Sequence, residues 1–207
     1  MKTPGHAWVG LVAAFGIAAL LGWWLPAPLL DWQPALALHE PWRAFSAAFV
    51  HWSEWHLAAN LAGCAVLAAL GLGGQLPRGA ALAWLLAWPL THVGLALQPA
   101  LAHYGGLSGV LHAGVAVAAL WLLATTHGTR RRIGAAVGTG LLTKVLIEEP
   151  WGPPLRLDGG WDIATAPLAH ATGALAGVLC AGVMLALLRS DAPMSSGSQA
   201  GPEQSGR

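Results

Sequence analysis

Charged residues are scarce in this chain. Asp, Glu, Lys and Arg make up 9% of the 207 residues, whereas apolar residues make up 56%. Because a soluble domain carries about 25% charged residues, this scarcity excludes an ordinary soluble domain and indicates a polytopic membrane protein. The net charge of +1 also argues against nucleic acid as a partner, since binding it requires a strongly basic face.

Cysteine and metal-binding motifs are scarce as well. Cys64 and Cys180 lie in separate apolar runs, where they are expected to be small hydrophobic residues and not a disulfide or a metal pair. Nine histidines could serve a metal transporter or an intramembrane metalloprotease. However, His39-Glu40-Pro41 interrupts the H-E-x-x-H helix that such an enzyme uses, and no second acidic ligand accompanies the clustered histidines. We therefore expect no metal and no cofactor.

Long apolar runs, in contrast, are abundant. Windows of about 20 residues predict six transmembrane helices, over 7–25, 52–73, 79–98, 108–126, 132–149 and 165–188. The first run lacks the small-residue cleavage site of a signal peptide and is expected to be a first span. The fold class is therefore all-α. We expect a six-helix membrane domain over 1–189 and a polar, disordered tail over 190–207.

The basic residues predict the orientation of these spans. If both termini are cytoplasmic, seven Lys and Arg residues lie inside: Lys2, Arg78, Arg130, Arg131, Arg132, Arg189 and Arg207. Arg43 and Arg156 then lie outside, in agreement with the positive-inside rule. Loops 26–51, 99–107 and 150–164 would face outward, with tryptophans at that interface: Trp23, Trp24, Trp32, Trp42, Trp52, Trp55 and Trp161.

Polar residues are predicted to converge on the outer half of the membrane. His56 and Asn60 lie near the outer end of the second span, Ser108 opens the fourth, and His170 lies slightly inside the sixth. Polar groups at membrane depth are costly and mark functional sites. A serine and an imidazole on two helices provide a nucleophile and its base. Gly173 and Gly177, four residues apart, would let the neighbouring helix approach closely.

An oxyanion site is also predicted. His56 and Asn60 are four residues apart and therefore project from one helix face. Together with the Ser108 backbone N–H, they could stabilise the oxyanion of a tetrahedral intermediate. Gly106 and Gly109 would let the backbone turn tightly around the serine and admit a substrate strand.

Structural alternatives exist for each of these residues. Ser108 could be only a helix N-cap, His170 a packing histidine, and Asn60 a bridge between helices. His51 is open between structural hydrogen bonding and a part in the site. His112 is open between orienting His170 and packing.

Other polar residues are expected to have structural roles. Lys144 and Glu148 are four apart and are expected to form an ion pair, not a proton relay. Trp42-Arg43 is expected to anchor the first outer loop. The remaining histidines are expected to be solvated or interfacial: His6, His39, His92, His103 and His127.

Four motifs, in order on successive segments, resemble those of a rhomboid intramembrane serine protease over nearly all of residues 1–189. They are Trp42-Arg43 with Phe49; His51-x4-His56-x3-Asn60; Gly106-x-Ser108-Gly109; and His170-x2-Gly173-x3-Gly177. The resemblance implies that Ser108 is the nucleophile and His170 the general base, in a dyad without a third carboxylate. It further implies an oxyanion hole made of His56, Asn60 and the Ser108 amide.

One position departs from that family. Rhomboids commonly carry a tyrosine four residues after the nucleophile, and His112 stands there in this chain. This feature and the compact form resemble the rhombosortase branch, whose members are thought to process bacterial proteins with a C-terminal Gly-Gly-containing anchor. The resemblance implies a membrane-anchored protein substrate, a bacterial inner-membrane location and an active site toward the outer face. The alternative is an inactive rhomboid-like protein that binds client transmembrane segments, although such relatives usually lack the serine or the base.

Overall fold

A computed structural model describes residues 5–157, 160 and 162–190 of the chain. Eight α-helices are present in this part: α1 (His6–Gly22), α2 (Ala27–Leu30), α3 (Arg43–Ser46), α4 (Glu54–Gly74), α5 (Arg78–Val93), α6 (Ser108–Thr125), α7 (Gly128–Ile147) and α8 (Pro167–Ser190). Short 3-10 helices cover Pro34–Leu36, Ala47–Phe49 and Gly94–Leu97. Two isolated antiparallel bridges, Trp32–Tyr104 and Arg156–Thr165, accompany the helices. The expected tail beyond 190 lies outside the described residues, as does Trp161.

The six long helices coincide with the six predicted spans, but only part of the membrane prediction is confirmed. Four helices in the described residues are long and apolar enough to cross a membrane: Glu54–Gly74, Arg78–Leu97, Ser108–Thr125 and Pro167–Ser190. Helix α1 is apolar but has 17 residues. Helix α7 is less apolar, since three arginines, Arg130 to Arg132, lie near its start and Lys144 near its end.

Helix α6 is the central helix of the bundle. Of an 18-residue stretch of α6, 61% is buried, against 22% for α4. Helices α4, α5, α7 and α8 all pack against it. The sequence of α6 explains this position, because its many Ala and Gly residues leave room for neighbouring backbones. The residue that opens this helix, Ser108, is therefore surrounded by other elements.

The closest helix contact joins α6 to α8. A Cβ atom added to Gly173 would lie 2.0 Å from the carbonyl oxygen of Gly109, and one added to Gly177 would lie 2.4 Å from that of Ala113. Real Cβ atoms do not approach a carbonyl so closely, so both positions require glycine. The predicted close approach of a helix to the Gly173 and Gly177 face is thus present in the fold.

The loop region over 26–51 is held by a buried ion pair. Arg43 is 4% exposed and donates through Nη1 to Oδ1 of Asp31, at 3.0 Å, and to the Asp31 carbonyl, at 2.7 Å. Its Nε donates to Glu40 at 2.6 Å. Buried charges persist only when they are paired and hydrogen-bonded. Arg43 therefore anchors this loop, while Trp42 at its side is 51% exposed.

Two residues predicted to be interfacial are buried instead. His92 is fully buried in α5 and its Nδ1 donates to the carbonyl of Ala44 at 2.7 Å. Trp32 is 2% exposed, and its backbone pairs with that of Tyr104. Both predictions were wrong for the same reason: the loop over 31–49 folds back onto the helices, which a hydropathy window does not detect.

Candidate active site

Ser108 and His170 form a direct hydrogen bond where α6 and α8 begin. The Ser108 Oγ lies 3.0 Å from Nε2 of His170. Ser108 is the first residue of α6, Leu107 occupies the N-cap position, and no side-chain cap is made there. The hydroxyl is thus directed at an imidazole and does not cap its own helix. This distance is within the range expected of a nucleophile and its base.

The glycine contact between α6 and α8 explains this pairing. Gly109 follows Ser108 directly, and Gly173 lies one turn after His170 in α8. The two backbones touch at these glycines. The side chains of Ser108, one residue before Gly109, and His170, one turn before Gly173, therefore lie at the same level along the two helices. A larger residue at either position would separate the hydroxyl from the ring.

Glu148 contacts the other nitrogen of the same ring. Its Oε2 lies 2.7 Å from Nδ1 of His170. The predicted ion pair is also present, as the Lys144 ammonium donates to Oε1 of Glu148. The resemblance implied a dyad without a carboxylate, whereas this structure places one against the histidine. The i,i+4 spacing indicated the ion pair, but no local pattern indicated a contact across 22 residues.

His112 packs flat on His170. The two rings are stacked, with centroids 4.1 Å apart and planes 11° apart. His112 Nδ1 lies 2.7 Å from the carbonyl oxygen of Ser108. Because a carbonyl only accepts, His112 Nδ1 must carry the hydrogen. His112 therefore contacts both Ser108 and His170, which favours the orienting role over simple packing.

His56 faces the serine from α4. The Trp52 backbone N–H donates to His56 Nδ1 at 3.4 Å, so a neutral ring carries its hydrogen on Nε2. A point built as a Cβ on Gly106 would lie 2.7 Å from His56 Nε2 and 3.9 Å from Ser108 Oγ. The two groups thus border the same small space beside Gly106. Gly106 has φ +141°, a conformation that only glycine adopts readily.

Asn60 and His51 contact this site less directly. Asn60 is 3% exposed, and its Nδ2 donates to the His56 carbonyl at 3.1 Å, which leaves a second N–H on the same amide. The His51 ring lies 4.8 Å from the His56 ring, centroid to centroid. Burial lowers the pKa of His51 to about 4, so it is neutral at physiological pH. His51 therefore reaches the site through His56.

Tyr104 is a site residue that sequence reasoning missed. It is the single tyrosine of the chain, is 5% exposed, and donates from its hydroxyl to the Gly106 carbonyl at 3.2 Å. Burial raises the pKa of Tyr104, so the phenol stays a donor. Its position directly before Gly105-Gly106 was the available signal.

A cavity of about 510 Å³ opens onto these groups. Its walls come from α4, α6 and α7 and from residues 163–166. Apolar side chains such as Val66, Leu111 and Leu141 line one part, while Ser108, His170 and their partners line another. Binding sites commonly have this size and this mixture of an apolar wall with a few convergent polar groups.

Three side chains could also reach a common metal ion. Ligand atoms of His112, Glu148 and His170 lie within 4.8 Å of one another. In the present geometry, however, His112 Nδ1 bonds the Ser108 carbonyl, and His170 uses one nitrogen for Ser108 and the other for Glu148. A metal would have to replace some of these hydrogen bonds.

No model of a known protein family matches this chain, and no curated protein matches it in sequence.

Proposed function

We propose that this protein is an intramembrane serine protease in which Ser108 is the nucleophile and His170 is the general base. The 3.0 Å hydrogen bond between Ser108 Oγ and His170 Nε2 carries this proposal. The glycine-mediated packing of α6 on α8 holds both groups in place, and a cavity gives access to them. The motif resemblance to rhomboid proteases supports the same assignment.

The reaction would proceed by acyl transfer. Ser108 Oγ attacks the scissile carbonyl carbon while its proton passes to His170 Nε2. The tetrahedral intermediate collapses, and the same proton goes to the departing amine. Water then attacks the acyl-enzyme, again with His170 as base, which releases the carboxyl product and restores the serine.

Several donors are available for the oxyanion. The Ser108 backbone N–H belongs to the first turn of α6, where backbone N–H groups have no partner within the helix. His56 Nε2 borders the space beside Ser108, and Asn60 and Tyr104 line the same cavity. Preorganised donors in a water-poor site stabilise developing negative charge strongly.

The membrane arrangement we propose has six spans, so that α1 and α7 cross the bilayer along with the four longer apolar helices. Both termini would be cytoplasmic, and Ser108 would face the outer side of a bacterial inner membrane. The Lys and Arg asymmetry supports this orientation. A reporter fused after Arg189 should accordingly be active only in the cytoplasm.

The substrate class we propose is a membrane-anchored exported protein cut within or near its anchor. The compact form and His112 support the narrower proposal of Gly-Gly-type C-terminal anchors, as in the rhombosortase branch. A glycine pair suits this site because glycine lowers the cost of unwinding a substrate helix. An extended strand could then enter over Ser108.

The decisive experiment uses the purified full chain, a transmembrane substrate and a serine-reactive probe, with and without a chelator. Ser108→Ala and His170→Ala should abolish cleavage, and Ser108→Ala should abolish labelling. Ser190→Ala at the end of α8 and His127→Ala before α7 are matched controls and should behave as wild type. Near-normal turnover by Ser108→Ala would refute the proposal.

Two competing functions give different results in that experiment. An inactive client-binding protein would bind the substrate without cleaving it. A metalloprotease using His112, Glu148 and His170 would lose activity with the chelator and would not label at Ser108.

A further inference from the structure

We propose that Glu148 is a positioning residue for His170, so that the site operates as a Ser-His-Glu triad whose carboxylate is held by Lys144. This inference rests on the proposed protease function. It concerns a residue that the motif resemblance leaves without a role and that the fold brings to the base from another helix.

The first argument is the tautomer of His170. Its Nδ1 lies 2.7 Å from a carboxylate oxygen of Glu148, and an ionised carboxylate can only accept. Nδ1 must therefore carry the hydrogen. Nε2 of the neutral ring is then free to accept from Ser108, 3.0 Å away. Glu148 thus selects the tautomer that a general base requires, as the aspartate does in Ser-His-Asp hydrolases.

The second argument is the charge that develops during the reaction. When His170 takes the serine proton, the ring becomes an imidazolium. A carboxylate in hydrogen-bond contact stabilises that cation, and it does so more effectively in a partly buried site than in water. The Glu148 side chain is 20% exposed and that of His170 is 9% exposed, so solvent screens this pair only in part.

The third argument is that Glu148 is held on both its side chain and its backbone. Lys144, one turn earlier in α7, donates to Oε1 while His170 bonds Oε2. The Glu148 carbonyl accepts from Arg156 Nη1 at 2.9 Å. The Arg156 backbone pairs in turn with Thr165, two residues before α8 begins. The end of α7 is therefore tied to the start of the helix that carries His170.

Several charged and titratable groups lie around His170 and can influence the pH dependence of kcat. In the described residues they are Glu148 and Lys144 from the end of α7, His112 from α6 and His56 from α4. Of these, Glu148 is the group whose anionic carboxylate is hydrogen-bonded to the His170 ring. Removing its charge should therefore have a different effect from removing a neutral neighbour.

The principal test variant is Glu148→Gln, with Glu149→Gln as the matched control. Lys144 needs an acceptor, so it should draw the new amide oxygen to itself and turn the NH₂ group toward His170. The ring would then adopt the wrong tautomer. We expect kcat to fall by about 10²–10⁴-fold with little change in KM.

The low-pH limb of the kcat profile should also move to lower pH, because protonated His170 loses its stabilising anion. Glu149 pairs with Arg156 on the surface, so Glu149→Gln should match the wild type.

A double variant and a spectroscopic measurement complete the test. Lys144→Met removes the competing donor, so Lys144→Met/Glu148→Gln should regain part of the lost kcat. Nitrogen NMR of labelled histidine in the intact detergent-solubilised protein should show the hydrogen on Nδ1 of His170 in the wild type and on Nε2 in Glu148→Gln. This readout does not depend on activity.

The outcomes separate the two proposals. If Glu148→Gln keeps the wild-type kcat, pH profile and tautomer while Ser108→Ala is inactive, the positioning role is refuted and the protease function stands. If Glu148→Gln loses activity but the tautomer and the low-pH limb are unchanged, Glu148 is merely structural, which also refutes the proposal. If Ser108→Ala remains active, the protease function itself fails.

Discussion

His112 and His170 lie on different helices, yet their rings stack with centroids 4.1 Å apart and planes 11° apart. This contact covers one face of the His170 ring with a second imidazole. His112 also bonds the Ser108 carbonyl, so it contacts both residues of the Ser108–His170 hydrogen bond.

We expect the flat ring at position 112 to be more important than its polarity. An aromatic pair contributes about 0.5–1.5 kcal/mol beyond its burial. His112→Ala should therefore lower kcat by about tenfold, whereas His112→Tyr should retain most of the activity. Steady-state cleavage in detergent and in liposomes checks this. Equal activity of His112→Ala and wild type would mean that the stack does not orient the base.

The contact of Gly173 with Gly109 gives a prediction about folding. A Cβ at Gly173 would lie 2.0 Å from the Gly109 carbonyl oxygen, so Gly173→Ala must force α6 and α8 apart. Overpacking of this kind costs about 1–3 kcal/mol. We expect a lower melting temperature and loss of cleavage. Gly182→Ala on the same helix is the matched control, because nothing lies within 4 Å of its added Cβ. If Gly173→Ala and Gly182→Ala have the same melting temperature, the close contact does not contribute to stability.

Removing one of the proposed oxyanion donors should slow cleavage without abolishing it. Losing one preorganised donor costs about 10²–10³-fold in rate. We expect such losses for His56→Ala and Asn60→Ala, and a smaller loss for Tyr104→Phe, because its hydroxyl bonds the Gly106 carbonyl in the resting site. Melting temperatures measured alongside kcat distinguish this effect from unfolding. Wild-type rates in all three variants would make these residues structural.

Burial of neutral His51 predicts a pH-dependent stability. The pKa of His51 falls from 6.5 to about 4 on folding. Between these pH values, His51 is therefore protonated in the unfolded chain and neutral in the folded chain. Its stabilising contribution is present above pH 6.5 and decreases as the pH falls toward 4. His51→Gln should reduce the acid dependence of the melting temperature in detergent, whereas His39→Gln on the surface loop should not. An unchanged acid dependence in His51→Gln would contradict the prediction.

Substrate choice can be tested by competition. One tagged substrate carries a Gly-Gly C-terminal anchor and the other a generic transmembrane span with matched flanks. We expect the Gly-Gly anchor to be cut faster, because its helix unwinds more readily over Ser108. Replacing the glycine pair by alanines in the same anchor is the control. Equal cleavage of both substrates would remove the branch assignment and leave the protease proposal intact.

The helix positions could be predicted from the sequence because they depend on local properties. The predicted span 108–126 became Ser108–Thr125, and 165–188 became Pro167–Ser190, since length and apolar content are properties of a continuous segment. The meeting of Ser108 with His170 was also predictable. The small residues at Gly109, Gly173 and Gly177 mark which helix faces approach each other. The serine and the histidine lie beside those glycines.

The tertiary structure alone decided which groups complete the site. Glu148 lies just beyond the end of α7, and its carboxylate meets His170, 22 residues further along the chain. His92 is fully buried, and the loop region over 26–51 presents the Ala44 carbonyl to it. Such contacts join residues far apart in the chain, and their distances depend on how helices and loops are placed in space. Hydropathy and i,i+4 spacing describe single segments. They therefore indicate where helices lie along the chain, but not which distant side chain contacts His170.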